Sequence, residues 1–144
     1  MSEVRITIPG QPVAQGRPRI TTVNGFARAY DPAKSRSWKG VAQVHMVEAM
    51  RAAGVAPIEG AVEVEVLAVF DCPMSSHRKR EPVPRRWKAT KPDSENIAKA
   101  VLDAGNGVLY RDDGQVARLT VAKVVGAQGE AARVEVVVRA CGVR

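Results

Sequence analysis

Residues 91–115 read Lys91-Pro-Asp-Ser-Glu-Asn-Ile-Ala-Lys-Ala-Val-Leu-Asp-Ala-Gly-Asn-Gly-Val-Leu-Tyr-Arg-Asp-Asp-Gly-Gln115, and they decide how the rest of the chain is interpreted. Within it, five carboxylates accompany Lys99: Asp93, Glu95, Asp103, Asp112 and Asp113. The chain as a whole nevertheless carries a net charge of +7. An acidic cluster within a basic protein suggests a metal site that acts on a polyanion.

The first half of the stretch predicts an amphipathic helix over about residues 95–105. At 100° per residue, Glu95, Lys99 and Asp103 fall within about 80° of one another, and the rest of the wheel is mostly apolar. The Gly-Asn-Gly sequence at 105–107 is expected to end the helix. A simpler interpretation is an exposed helix face with two salt-bridge pairs, capped at its N-terminus by Asp93.

A second acidic pair follows ten residues later, in the sequence Asp112-Asp113-Gly114. By itself this pair is also compatible with an ordinary turn that opens a strand. Together with the first group, however, it means that carboxylates flank one helix along the chain. Mg²⁺ and Mn²⁺ prefer such hard oxygen ligands, usually one or two carboxylates completed by water and substrate phosphate. The pattern therefore predicts a divalent metal site that hydrolyses a phosphodiester, with a lysine nearby to stabilise developing charge.

The remaining sequence predicts several strands and one further helix. Alternating residues indicate a strand at 4–8, and Asn24-Gly25 favours a type I′ turn in a hairpin between residues 17–22 and 26–30. A helix is expected to begin with Asp31 as N-cap and Pro32 in its first turn, and to end at Gly54. Further strands are predicted at 61–70, 115–125 and 133–140. We expect an α+β (mixed α/β) fold, a single small domain over residues 1–144 with two main helices packed on one mixed sheet.

Positive charge is concentrated in residues 74–91, where seven Lys or Arg residues and one Glu give a net charge of +6. Prolines at 73, 82 and 84 predict a loop or mobile arm, hereafter the basic loop. Its cations are Arg78, Lys79, Arg80, Arg85, Arg86, Lys88 and Lys91. A basic segment next to an acidic cluster is expected of a protein that holds a phosphate backbone, although a solvated loop without a partner has the same composition.

The sequence gives no indication of a membrane protein. No apolar run reaches the length of about 18 residues that a membrane-spanning helix needs, and the first residues lack the pattern of a signal peptide. We therefore expect an intracellular protein.

Two segments resemble the signature of the RusA-type Holliday junction resolvases. That signature is Pro-Asp-x-Asp-Asn-x-x-Lys-x-x-x-Asp-Ala, then a glycine-rich turn, then Asp-Asp-x-Gln. It is matched by residues 92–104 and 112–115. Gln15-Gly-Arg-Pro-Arg19 and Tyr30-Asp-Pro32 also resemble the N-terminal part of phage and prophage members of this family.

The resemblance implies a small homodimeric, Mg²⁺-dependent endonuclease, with Mn²⁺ also plausible, that nicks four-way DNA junctions symmetrically in recombination and repair. By position, Asp93, Glu95 and Asp113 would be metal ligands and Lys99 the catalytic lysine. Asp103 and Asp112 would be supporting acids. The protein would act in the cytoplasm of a bacterial cell or of a phage-infected host.

In the resolvase interpretation, Arg17, Arg19 and the basic loop would hold the phosphates of the junction arms. One position departs from the family pattern, because Glu95 stands where the family usually has Asp. Its carboxylate lies one methylene further from the backbone, so metal spacing or rate could differ. Two alternatives stay open: a junction-binding or DNA-binding protein with weak or lost catalysis, and a nuclease acting on other branched DNA.

Overall fold

A computed structural model describes residues 3–142 of the chain. Within these residues the strands and helices are, in chain order, β1 (Glu3–Pro9), β2 (Arg19–Val23), β3 (Phe26–Tyr30), α1 (Ala33–Ala53), β4 (Val62–Phe70), β5 (Arg86–Trp87), α2 (Ser94–Gly105), β6 (Val116–Val125) and β7 (Arg133–Ala140). None of the described helices is long and apolar enough to cross a membrane.

The main sheet has five strands in the order β1-β7-β4-β6-β5. Strands β4 and β6 are parallel and the other neighbours are antiparallel, so the sheet is mixed. Helix α2 lies in the connection between the two parallel strands, as such a crossover requires. Strands β2 and β3 form a separate two-stranded sheet. The predicted α+β fold with two main helices is confirmed.

The core lies between the helices and one face of the main sheet. Alternate residues of β1, β4 and β7 point into it, because side chains along a strand alternate between faces. The helices contribute apolar residues at helical spacing. The principal core side chains are Val4, Ile6, Ile8, Val62, Val64, Val66, Val134, Val136 and Val138 from the sheet, Trp38, Ala42, Met46 and Met50 from α1, and Ile97, Ala100, Val101 and Ala104 from α2. The opposite side of α2 is thereby left to face outward.

The start of α1 differs from the prediction. Pro32 occupies the N-cap position and Asp31 precedes it, so the predicted role of Asp31 as N-cap is wrong. The Asp31 carboxylate instead accepts a hydrogen bond of 2.8 Å from the hydroxyl of Ser35 and contacts side chains from other parts of the chain. The predicted end of the helix is confirmed, since Gly54 closes it with φ of 66° in the left-handed region.

The hairpin is confirmed with a shorter first strand, because β2 begins at Arg19 and not at Arg17. Both Asn24 and Gly25 have positive φ, 52° and 79°, as a type I′ turn requires.

The basic loop is more ordered than predicted. It contains a short 3-10 turn at Met74–Ser76 and the two-residue strand β5, which pairs with β6. The side chain of Gln128 accepts hydrogen bonds from the backbone N–H groups of Arg78 (2.9 Å) and Val83 (3.2 Å). It also donates one to the carbonyl of Arg78. Most of the segment is a loop, as predicted, but the expectation that it contains no regular element is wrong. A residue some fifty positions away in sequence holds the loop.

The packing at the C-terminal end of α2 can be tested by a substitution at Gly105. A Cβ atom there would lie 2.7 Å from the hydroxyl of Tyr110 and 3.0 Å from Leu109, both fully buried. We predict that Gly105→Ala lowers the free energy of unfolding by about 1–3 kcal/mol, because overpacking outweighs the gain in helix propensity. Chemical denaturation measures the change.

Gly40 in the middle of α1 is the matched control, because a Cβ atom there would meet nothing within 4 Å. Gly40→Ala should therefore raise the free energy of unfolding by about 0.5–1 kcal/mol. Equal effects of the two substitutions would contradict the described packing of α2 against Tyr110.

Candidate active site

The exposed face of α2 carries the polar stripe that the helical wheel predicts. Glu95 and Lys99 are exposed and Asp103 is half-buried. On the opposite side, Ile97, Val101 and their apolar neighbours are buried in the core. Burial of the apolar side therefore fixes the direction in which all three charged groups point.

Asp93 lies at the N-cap position of α2, but its side chain makes no capping hydrogen bond. Aspartate at this position usually stabilises a helix by accepting a hydrogen bond from a free backbone N–H, a contribution of about 1 kcal/mol. Here the carboxylate is exposed and turned away from that use. The capping interpretation thus does not account for Asp93, and its carboxylate is available for a ligand.

The two acids of the second group have different surroundings. The Asp112 carboxylate accepts a hydrogen bond of 2.9 Å from the backbone N–H of Gly114 and caps the 3-10 turn Asp113–Gln115. The Gln115 side chain accepts from the backbone N–H of Asp112 at 3.1 Å, completing a capping box. Asp112 therefore has a structural use that accounts for its presence, whereas the side chain of Asp113 has none of these contacts.

Two amides that the sequence reasoning did not single out hold this turn in place. Gln115 donates to the carbonyls of Ile58 and Gly60, both at 2.9 Å, and so fastens the turn to the segment before β4. Asn106, just after α2, accepts a hydrogen bond of 2.8 Å from the backbone N–H of Asp113. The sequence signals for holding this turn were the Gln of the Asp-Asp-x-Gln pattern and the Asn of the Gly-Asn-Gly turn.

Tyr110 joins the turn to α2 from inside. Its fully buried hydroxyl donates a hydrogen bond of 2.8 Å to the carbonyl of Leu102. Burial raises the pKa of Tyr110, and the negative charges of Asp113, Asp103 and Asp112 raise it further. Together with the bond between Asp113 and Asn106, this places Asp103, Asp112 and Asp113 at the C-terminal end of α2.

A polar cavity of about 530 Å³ runs beside the exposed face of α2. It is lined by Gln15, Gly16, Arg17, Pro18, Asp93, Glu95, Asn96, Lys99, Asp103 and Asp113. The fold thus brings five of the six charged residues predicted from the 91–115 stretch to one cavity and adds Arg17. Asp112 is not among the lining residues. Arg19 lines a second cavity, which shares Gly16, Arg17 and Pro18 with the first.

The far wall of the cavity, residues 15–18, is fastened by contacts that sequence reasoning missed. The backbone N–H of Gln15 donates to the carbonyl of Asn96 at 2.9 Å. The ammonium group of Lys39 on α1 donates to the Gln15 side chain at 2.9 Å and lies 2.6 Å from the carboxylate of Asp31 and 3.5 Å from that of Asp103. Lys39 therefore links this wall to both helices.

Asp31 is charged in this network. Partial burial would raise the pKa of Asp31, but hydrogen bonds from Lys39, Ser35 and Gln15 outweigh it and hold the pKa below its ordinary value. The Lys39 ammonium group thus faces two carboxylates and one amide oxygen. No sequence pattern marks Lys39, which lies in a helix with ordinary amphipathic spacing.

The carboxylates are spread along the cavity. Asp93 and Asp103 stand ten residues apart, about 15 Å along a helix axis. Asp113 is fastened beyond the C-terminal end of α2, at Asn106. Within residues 3–142, no three His, Cys, Asp or Glu side chains are close enough together to form a ready metal-binding cluster. The ligand set Asp93, Glu95 and Asp113 therefore stays a prediction.

The predicted phosphate-binding residues of the basic loop do not share one environment. Arg78, Lys79, Arg80, Arg86 and Lys91 are exposed. Arg85 instead forms an ion pair with Glu130, which also pairs with Arg133 at 3.0 Å. Lys88 lies 4.8 Å from the centre of the Phe70 ring. Arg85 thus anchors the loop, and its predicted contact with phosphate stays a prediction.

The end of the basic loop is fixed next to the cavity. Lys123 on β6 donates to the carbonyls of Thr90 (2.8 Å) and Pro92 (2.7 Å), immediately before Asp93. The position of Asp93 therefore depends on a strand of the main sheet as well as on α2.

Two comparisons with known proteins cover nearly the whole chain. A family model described as "Endodeoxyribonuclease RusA" matches residues 9–139. The chain is also 38% identical over 148 residues to a protein of Bacillus subtilis (strain 168) described as "Uncharacterized protein YqaN". That alignment covers 96% of this chain and 97% of the Bacillus protein. Both the cavity and the basic loop lie inside the matched region.

The anchor of the basic loop predicts a pH dependence of stability. Hydrogen bonds from Arg85 and from the backbone N–H of Ala127 lower the pKa of Glu130 from 4.5 to about 2. A carboxyl whose pKa is lowered by folding stabilises the fold at pH values above 4.5, and this contribution is lost as the pH falls toward 2. We predict that Glu130→Gln lowers the melting temperature at neutral pH and flattens its decline between these two pH values.

Thermal unfolding followed by circular dichroism at a series of pH values measures this effect. Glu48→Gln, which removes a carboxylate from the exposed side of α1, is the control and should keep the wild-type profile. A Glu130→Gln profile parallel to that of the wild type would show that the Arg85–Glu130 pair does not hold the loop.

Proposed function

Because the chain belongs to the RusA endodeoxyribonuclease family, we propose that it resolves four-way DNA junctions by paired symmetric nicks that require a divalent metal ion. The observation that carries this proposal is the cavity along α2, which is lined by the carboxylates of Asp93, Glu95 and Asp113 and by the cations Lys99 and Arg17. Acidic side chains for a metal and basic side chains for a phosphate are both needed for this chemistry.

The donors that line the cavity fit Mg²⁺ or Mn²⁺. Four carboxylates and two cations line it, a formal net charge of −2 that one divalent ion compensates. Mg²⁺ typically binds one or two carboxylates, with water and phosphate oxygens as its other ligands. Asp93, Glu95 and Asp113 would hold the ion, and water and the substrate phosphate would supply its other ligands. When bound, the ion would polarise the phosphodiester and lower the pKa of a water molecule.

Lys99 acts on the phosphate itself in this proposal. Its ammonium group lies on the same helix face as Glu95, one turn away, and is exposed to the cavity. There it would donate to a phosphate oxygen and stabilise the negative charge that develops on the phosphate or the leaving oxygen. Asp103, which already faces Lys39, would orient Lys99 rather than bind the metal ion.

The cations around the cavity would hold the junction arms. Arg17 lies at the cavity, Arg19 next to it, and the exposed residues of the basic loop lead up to Asp93. Contacts of this kind go to the backbone and position a duplex without reading its sequence. A homodimer would present two such cavities to the two symmetric strands of a junction in the cytoplasm.

The proposal is tested by cleavage of a synthetic four-way junction with Mg²⁺ or Mn²⁺. We predict that Asp113→Asn lowers the cleavage rate at least about 100-fold, because an amide neither compensates nor binds the metal ion as a carboxylate does. Its junction affinity in chelator should be equal to or higher than that of the wild type, because the substitution removes a negative charge that repels DNA phosphates. Glu48→Gln on the exposed side of α1 removes the same charge away from the cavity and should cleave at the wild-type rate.

Other outcomes separate the competing functions. Junction binding by the wild type without nicking in either metal would favour a binding protein with lost catalysis. Equal rates on flaps, forks and four-way junctions would favour a general nuclease of branched DNA.

Glu95 is the position at which this chain departs from the family pattern. We predict that Glu95→Gln loses cleavage at least about 100-fold, since it removes a metal ligand, whereas Glu95→Asp keeps or increases cleavage in Mg²⁺. Rates with Mg²⁺ and Mn²⁺ on the same junction measure both variants. If Glu95→Gln cleaved as well as the wild type, Glu95 would not be a metal ligand.

A further inference from the structure

The two-stranded sheet of β2 and β3, hereafter the ribbon, has no covering layer in the described part of the chain. All ten of its strand residues are exposed. They include two large apolar side chains, Ile20 at 76% and Phe26 at 75% relative exposure. An isolated two-stranded sheet is only marginally stable in water. The ribbon is therefore expected to gain a partner when the protein functions.

The register of the ribbon sorts its side chains into two unlike faces. Arg19 pairs with Tyr30, Thr21 with Arg28, and Val23 with Phe26, so all six lie on one face. The other face carries the small or apolar residues Ile20, Thr22, Ala27 and Ala29. The first face thus combines two arginines with two aromatic rings, the residue types that bind phosphate and pack against sugars and bases.

The positive charge of the ribbon favours a polyanion as its partner over a second copy of the ribbon. Residues 17–30 contain Arg17, Arg19 and Arg28 and no Asp or Glu. Two identical ribbons would therefore repel each other, whereas the phosphates of DNA would be attracted.

Both ends of the ribbon are fastened at the cavity. Strand β2 follows directly from Gly16, Arg17 and Pro18, which line the cavity, and Gln15 is bonded to Asn96 on α2. Strand β3 leads into Asp31, which is paired with Lys39. The ribbon consequently projects from the rim of the cavity, in a position to meet DNA that leaves it.

We propose that the ribbon enters a groove of the duplex arm next to the cleaved phosphate, with Arg19 and Arg28 on its backbone and Phe26 and Tyr30 against its sugars. This inference rests on the proposed function and adds to it a surface outside the acidic cavity. The major groove is about 12 Å wide and admits a two-stranded ribbon. The contact positions the arm and so directs which phosphate reaches the acids.

The experiment measures DNA affinity of the full chain by fluorescence anisotropy, in chelator, between about 50 and 200 mM salt. Arg28→Ala should weaken junction binding about tenfold at the lowest salt and reduce the slope of log K against log salt by about 1. Phe26→Ser should weaken binding without changing the slope. Arg5→Ala on β1 removes an exposed arginine that faces Glu3, and should match the wild type. Circular dichroism confirms that each variant is folded.

Unchanged affinity and slope in both Arg28→Ala and Phe26→Ser would overturn the proposal. Sedimentation in the absence of DNA tests whether the ribbon instead binds a second copy of the chain. If Phe26→Ser or Ile20→Ser dissociates a dimer while Arg28→Ala binds DNA normally, the ribbon is a dimerisation element and not a DNA contact. Failure of the proposed function can be distinguished from failure of the ribbon proposal. Wild-type protein that never nicks a junction, but whose binding depends on Arg28, would leave the ribbon proposal standing.

Discussion

One ammonium group, that of Lys39, connects the parts from which the cavity is built. It faces Asp31 at the root of the ribbon, Gln15 in the cavity wall and Asp103 on α2. The half-buried Lys39 ammonium group is stable because two carboxylates and an amide oxygen surround it. Without this cation, the carboxylates of Asp31 and Asp103 would repel each other, and the cavity wall would lose its tie to α1. The cavity therefore depends on a residue outside the acidic stretch.

Elements governed by neighbouring residues were predictable from the sequence. The polar stripe of α2 follows from helical periodicity, and the Asn24-Gly25 turn follows from the positive φ of both residues. Contacts between distant segments were not predictable. Asp31 looked like an N-cap because its neighbours suit one, yet Lys39 and Gln15 take its carboxylate. The basic loop looked mobile because its composition is proline-rich, yet Gln128 holds it.

The acids of the 91–115 stretch show why composition alone could not assign their roles. Asp112 and Asp113 are adjacent and chemically identical, but only Asp112 caps the turn. Asp93 occupies a helix N-cap and leaves the helix N–H groups without its carboxylate. A side chain that forgoes a local stabilising bond is expected at functional sites, where local preferences conflict with the task of the site. The structure thus separates acids with a structural use from acids that are free for a ligand.

In the proposed function, a cavity of this composition must also admit a polyanion. Four carboxylates at the cavity repel DNA phosphates, so the chain needs cations that are already aimed at the substrate. Arg17 and Lys99 supply two of them inside the cavity. The exposed cations of the basic loop would act from outside, and the bonds from Gln128 and Lys123 restrict the movement of that loop. Cations on a fastened loop lose less conformational entropy on binding than cations on a free arm. In the proposed function, order in the basic loop would therefore help an acidic cavity to bind an acidic substrate.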